Sequence, residues 1–300
     1  MEDWYYHGGM KGIVLAGGTG SRLWPVTYAV SKQLLPIYDK PLIYYPLGTL
    51  MELGIREIAL VTTKTDQHMF KSLLGDGKQF GIDLQYFTQD EPNGIAQVFL
   101  ITNEFIQGHN STLILGDNLF HGIDFASGAL DLNLGKGAKV VTYEVEDPSR
   151  YGVLELNTSG SPIRIVEKPK NTNSNLAVTG LYVYDSTVVE RARTLKPSKR
   201  GELEITDLNN SYLASGQLDV FKLKPGTAWI DTGTFDSLID AANYIRILEE
   251  RQGKKVSCLE EIAWRNKWIS SDLVTEKILK YKGNSYSKYL QRMLEMGADN

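Results

Sequence analysis

Residues 11–23, Lys11-Gly12-Ile13-Val14-Leu15-Ala16-Gly17-Gly18-Thr19-Gly20-Ser21-Arg22-Leu23, decide the fold. An apolar run of strand length ends in a glycine-rich turn. A strand that runs into such a loop presents backbone N–H groups to an anion. Glycine supplies positive φ and lets a phosphate approach the chain closely. Two familiar phosphate loops fail on spacing. The dinucleotide pattern G-x-G-x-x-G, begun at Gly18 and Gly20, needs glycine where Leu23 stands. The Walker pattern, begun at Gly17, needs Gly-Lys where Arg22-Leu23 stands. The loop holds an arginine instead, and Lys32 follows in Ser31-Lys32-Gln33-Leu34-Leu35-Pro36. Arg22 and Lys32 are suited to clamping a triphosphate from two sides. The competing reading is an ordinary βα turn with two solvated cations.

Outward from this loop, strands and helices alternate. Residues 41–53 are apolar at helical spacing and stop at Gly54. Residues 57–62, 83–88 and 112–115 read as strands, and 65–74 and 96–105 as helices. This order predicts βαβ units and a mostly parallel sheet. After Asp117 the texture changes. Residues 139–145, 153–156, 164–167 and 178–184 read as strands with little helix between them, so the sheet is expected to become mixed. Residues 228–231 form a further strand, and helices return at 206–214 and 235–251. Beyond residue 256, Trp264, Trp268, Leu279, Tyr286 and Leu290 predict a helical appendage. The expected class is α/β, a mixed, mostly parallel sheet flanked by helices. The expected divisions are an extension or expression remnant at 1–9, a catalytic domain at 10–255 and the appendage at 256–300.

Composition narrows the function. The chain has 300 residues, 42% of them hydrophobic, enough for one large domain with a small addition. A net charge of −4 argues against nucleic acid as the main partner, because duplex binding needs a basic face. A small phosphorylated ligand needs only a few local cations. The single cysteine, Cys258, excludes an intramolecular disulfide framework and fits a reducing compartment. No apolar run reaches the ~18 residues of a membrane span. Residues 1–9 lack the pattern of a signal peptide, so a cytoplasmic protein is expected.

The glycine loop and the Lys32–Pro36 segment resemble the signature of the sugar nucleotidylyltransferase family. Further matching segments are Tyr38-Asp39-Lys40-Pro41, Leu73-Leu74-Gly75-Asp76-Gly77, Leu115-Gly116-Asp117-Asn118 and Asp147-Pro148-Ser149-Arg150-Tyr151-Gly152-Val153. Glu167-Lys168-Pro169, Arg200-Gly201-Glu202-Leu203-Glu204-Ile205-Thr206-Asp207 and Trp229-Ile230-Asp231-Thr232-Gly233-Thr234 continue in the expected order. The matches run from Lys11 to about Trp268; Trp24 is a departure, where histidine or another residue is expected. The resemblance implies a Rossmann-like core with a sugar-binding half, Mg²⁺ dependence and a homotetramer. It implies dTTP and α-D-glucose 1-phosphate as substrates, and dTDP-glucose and pyrophosphate as products, a first step towards dTDP-rhamnose. It also implies feedback inhibition by dTDP-rhamnose at a second site between subunits.

The chemistry fits the residues present. A phosphate monoester has a second pKa near ~6, so the nucleophile is ionised at pH 7 and needs no general base. The four histidines, 7, 68, 109 and 121, are scattered and form no catalytic set. The difficulty is charge repulsion between two polyanions, which is met by positioning and electrostatics. Asp117 and Asp231 fall at carboxyl ends of expected strands, where α/β sheets place ligands. The resemblance makes them the metal ligands; the competing reading is turn aspartates bonded to backbone. It makes Arg22 the residue at the transferring phosphorus and Lys32 the triphosphate holder. Lys168 and Arg200 are assigned to the sugar phosphate, against solvated surface cations. Gly152 and Glu167 are assigned to sugar hydroxyls, against a strand-edge ion pair for Glu167. Leu15, Gly17, Gly18, Gly20, Gln89 and Gly94 match nucleotide-binding positions. A carboxamide pairs with the imide of thymine or uracil alike, so Gln89 leaves dTTP and UTP both open. Trp229 is either a pocket wall or a plain core residue. Residues 260–265 resemble the stretch that helps form a regulatory nucleotide site; packing between subunits is the competing reading, and the two are compatible. Two other classes compete: an inactive binding module, which should lack the loop arginine or a metal aspartate, and a dehydrogenase, which should have the third glycine.

Overall fold

The computed structural model of the chain describes residues 9–124, 130, 132 and 134–297. The N-terminal extension expected at 1–9 lies outside them except for Gly9, as does the end of the expected appendage, 298–300.

The first half alternates as its apolar periodicity predicts. Strand β1 (Lys11–Ala16) is followed by the short antiparallel pair β2 (Pro36–Ile37) and β3 (Lys40–Pro41), then helix α1 (Tyr44–Glu52). Strand β4 (Glu57–Thr62), helix α2 (Gln67–Leu74) and strand β5 (Asp83–Thr88) come next. The helix expected over 96–105 is two short ones, α3 (Gln97–Ile101) and α4 (Asn103–Ile106). They break at buried Thr102, whose hydroxyl donates back to the carbonyl of Val98 at 2.7 Å. Strand β6 (Ser111–Leu115) closes this half.

The second half is strand-rich: β7 (Asn118–His121), β8 (Ala138–Glu144), β9 (Gly152–Leu156), β10 (Pro162–Glu167) and β11 (Leu176–Tyr184). Helices α5 (Val188–Thr194) and α6 (Ile205–Ala214), then strands β12 (Leu218–Lys222) and β13 (Ala228–Asp231), lead into the long helix α7 (Phe235–Gln252). Helices α8 (Leu259–Arg265), α9 (Ser271–Lys280) and α10 (Ser285–Met296) complete the described chain.

Nine strands form one sheet, ordered β10-β9-β11-β6-β1-β4-β5, with β8 on β11 and β12 on β8. β1, β4, β5 and β6 pair in parallel, as do β8 and β12, whereas β11 runs antiparallel to β6, β8 and β9. Only β10 and β11 oppose the rest, so the sheet is mixed and mostly parallel. Every residue of β11 is buried, as a strand covered on both faces should be. One apolar cluster joins β1, β4 and α1 to Leu259, Ala263, Leu290 and Met293, so the C-terminal helices share the core of the sheet. Among the described residues, no helix is long and apolar enough to cross a membrane.

Two features place the site. β7 and β13 form a separate antiparallel pair in which Asn118 faces Asp231. The N-cap of α7, Thr234, stands three residues beyond that pair and forms a capping box: the Thr234 hydroxyl accepts from Ser237 N–H (3.2 Å), and the Ser237 hydroxyl accepts from Thr234 N–H (3.0 Å). Such a cap is worth about 1 kcal/mol and fixes the path of the chain leaving Asp231.

Candidate active site

The glycine loop is held in shape by backbone conformations that side chains resist. Gly18 and Gly20 have φ of 101° and 60°. The Gly20 carbonyl accepts from Leu23 N–H (2.8 Å) and the Thr27 hydroxyl (2.7 Å), closing a tight turn over Ser21–Leu23. Gly17, Gly18, Gly20 and Arg22 line a cleft together with Lys32 and Asp117. A second cleft continues from it, and Arg22 and Asp117 line both. This second part includes Arg150, Gly152, Glu167, Lys168, Trp229 and Asp231.

Asp117 and Asp231, 114 positions apart in sequence, come together through the β7–β13 pair. Lys32 forms an ion pair with Asp117 Oδ2, and Asn118 Nδ2 donates to Asp117 Oδ1 at 2.8 Å. Burial by itself would raise the Asp117 carboxyl; the Lys32 ammonium and the Asn118 amide outweigh it and hold it below the usual carboxylate range. Asp231 goes the other way. Burial and the neighbouring Asp117 charge raise it, and Lys32, Arg150 and Arg22 only partly offset them. Arg150 Nη2 lies 3.5 Å from Asp231 Oδ2. A Cβ on Gly233 would lie 3.2 Å from the Asp231 carboxylate and 3.3 Å from Arg22 Nη1, so Arg22 and Asp231 flank the same glycine.

Two facing carboxylates among three cations suit a divalent ion. Among the described residues, no group of three or more His, Cys, Asp or Glu side chains is arranged to hold a metal ion. Two carboxylates with the rest of the shell left to phosphates and water is how proteins commonly hold Mg²⁺, so the donor set fits that ion.

The second part of the cleft is lined by both polar and aromatic side chains. Glu167 accepts from the Thr206 hydroxyl (2.7 Å) and lies 3.3 Å from Lys168 Nζ. A Cβ on Gly152 would stand 3.3 Å from Thr206 Oγ1 and 3.5 Å from Glu167 Oε2, so Gly152 borders this carboxylate. Trp229 packs against Tyr151, with ring centroids 4.9 Å apart.

The remaining sequence candidates divide. Gln89 sits beside Gly17, its amide donating to Gly94 carbonyl (3.0 Å) and Gln97 (2.8 Å). Gly94 has φ of 101° and packs on the backbone of Leu203. Leu15 is the penultimate residue of β1, one position before the strand gives way to the loop. Arg200 does not line the cleft; it is held by Glu204 at 2.8 Å and Glu202 at 3.4 Å, and stands 3.8 Å from Glu167. His68, His109 and His121 line neither part of the cleft. The structure adds Arg150, Asn118 and Thr206. Each lies inside a matched segment, which was the available signal, but nothing in its residue type alone gave it a role.

The chain is similar to several known proteins. A family model described as nucleotidyl transferase matches residues 11–247. A glucose-1-phosphate thymidylyltransferase of Neisseria meningitidis is 50% identical over 287 residues, covering 95% of this chain and all of that one. One from Mycobacterium tuberculosis is 49% identical, covering 95% of this chain and 99% of its own. A Bacillus anthracis crystal structure assigned to the same enzyme, in complex with a sucrose, aligns with a TM-score of 0.74 at 42% identity. It covers 79% of this chain and 95% of that one. A UDP-glucose pyrophosphorylase complexed with UDP-glucose aligns with a TM-score of 0.68 at 26% identity, over 79% of this chain and 98% of its own. The chain belongs to the nucleotidyl transferase family.

Proposed function

We propose that the chain transfers the thymidylyl group of dTTP to α-D-glucose 1-phosphate, releasing pyrophosphate and forming dTDP-glucose. The observation that carries this reading is the seam of the cleft, where Arg22 and Asp117 belong to both the glycine-loop part and the sugar part. A phosphorus atom passing from one substrate to the other reacts at such a seam. The names of the relatives at 49–50% identity support the same substrates.

The residues take these roles. The backbone of Gly17, Gly18 and Gly20 cradles the triphosphate, and Lys32 turns from Asp117 to hold it. Arg22 stabilises charge at the transferring phosphorus. Leu15, Gln89 and Gly94 hold the base. Lys168 and Arg150 receive the sugar phosphate, and Arg200 joins them only by leaving Glu204. Glu167 and Gly152 face the sugar hydroxyls, and Trp229 forms the wall. Asp117 and Asp231 would hold Mg²⁺, which when bound would offset the charge of the phosphates. No side chain is needed to deprotonate the nucleophile, because the sugar phosphate is already ionised at neutral pH. This reading carries with it a cytoplasmic homotetramer with 256–300 as its interface and regulatory part, inhibited by dTDP-rhamnose.

A second reading, uridylyl transfer, is kept open by one observation: the Gln89 carboxamide beside Gly17 suits thymine and uracil equally. Pyrophosphate release with glucose 1-phosphate and Mg²⁺, run in parallel with dTTP and UTP, separates the two. A much higher kcat/KM with dTTP is the expected result. A preference for UTP replaces the substrate and leaves the mechanism; no release with either nucleotide removes the proposal.

A further inference from the structure

Asn118 has no freedom in this site. It is 3% exposed, and its Oδ1 accepts two hydrogen bonds, from Trp229 Nε1 (2.5 Å) and Gly180 N–H (3.1 Å). Gly180 lies where the register between β8 and β11 shifts, which turns its N–H out of that ladder. A Cβ at position 180 would stand 2.6 Å from Asn118 Oδ1, so only glycine leaves room for this contact. The indole N–H and the backbone N–H are donors only. The carbonyl end of the Asn118 amide must therefore face them, and its NH₂ end must face Asp117. Asn118 Nδ2 accordingly donates to Asp117 Oδ1. With that oxygen engaged, Oδ2, now paired with Lys32, is the one left to exchange partners.

We propose that Trp229 is a positioning residue for Asp117: its indole N–H sets the orientation of the Asn118 amide, which in turn selects the carboxylate oxygen that Asp117 offers to a cation. The role is distinct from forming a wall against sugar. It ties the sugar side of the cleft to the carboxylate at its seam through two hydrogen bonds. The inference rests on the nucleotide-transfer reading of the site.

The ring and the N–H can be tested apart. Trp229→Phe keeps an aromatic wall against Tyr151 and removes the donor. Replacement of Trp229 by 3-benzothienylalanine removes the donor with almost no change of shape, and covers the case in which the Phe variant packs poorly. The readout is Mn²⁺ binding to the enzyme with dTTP, followed by electron paramagnetic resonance without sugar phosphate. Loss of an outer-shell partner typically weakens metal binding by about 10- to 100-fold, and a fall in Mn²⁺ affinity of at least about tenfold is expected for both replacements. Unchanged Mn²⁺ affinity in the benzothienyl protein, with only a raised KM for glucose 1-phosphate, overturns the positioning role and leaves the functional reading standing. Absence of dTTP-dependent Mn²⁺ binding in the unaltered enzyme overturns both.

Discussion

Thr232 donates twice to the carbonyl oxygen of Asp117, through its backbone N–H at 3.1 Å and its hydroxyl at 2.8 Å. These bonds extend the β7–β13 pair by one residue, so the backbone carrying Asp231 is latched to the backbone carrying Asp117. Thr232→Val keeps the shape and the backbone bond but removes the hydroxyl. One hydrogen bond contributes about 0.5–1.5 kcal/mol, so urea unfolding should show a loss of that size. A several-fold fall in kcat at saturating substrates should accompany it. Unchanged kcat would mean that the latch does not set the carboxylates.

Asp117→Asn removes the charge proposed to hold the metal and the carboxylate that pairs with the Lys32 ammonium. Loss of one preorganised electrostatic group costs about 10²–10³ in kcat in other enzymes, and a fall in that range is expected here. Circular dichroism should show an intact fold. Near-normal turnover in a folded protein would remove Asp117 from the metal site.

Glu260 lines neither part of the cleft and predicts a pH dependence of stability. It is fully buried, with Oε2 accepting from the Tyr286 hydroxyl at 2.6 Å and no hydrogen-bond partner for Oε1. Burial raises its pKa; the Tyr286 bond, Lys277 and Lys40 only partly oppose it. A carboxyl raised on folding binds its proton more tightly in the native state, so stability falls as pH rises from the ordinary value near ~4.3 to the raised one. Above that window the full penalty persists. Glu260→Gln should therefore melt higher than the parent at pH 8, with the gap closing as pH falls through the window. A variant that melts lower by the same amount at every pH would show that the carboxylate is well accommodated.

Much of this architecture was legible because strands such as β1 and β4 are continuous apolar runs ended by glycine or polar turns. β7, β12 and α5 were not. β7 is four residues that pair only with β13, more than a hundred residues later, so no local periodicity reports it. The helix break at Thr102 depends on a hydroxyl bonding back to Val98, a choice settled by burial. At the site, the glycine loop, Lys32 and the two aspartates stand out by residue type and position. The sequence does not reveal that Glu204 and Glu202 draw Arg200 away while Arg150 turns towards Asp231. Those are contests between nearby charges, decided by where β10, α6 and the loop before β9 meet.

The central claim is a direct displacement at the α-phosphorus of dTTP by the sugar phosphate within this cleft. The most direct test uses one diastereomer of dTTPαS with glucose 1-phosphate and determines the configuration of the dTDPαS-glucose formed. The account predicts product with inverted configuration at phosphorus. Retention would reveal a covalent enzyme intermediate and contradict the mechanism, and failure to form any product, from dTTP itself as well, would contradict the function.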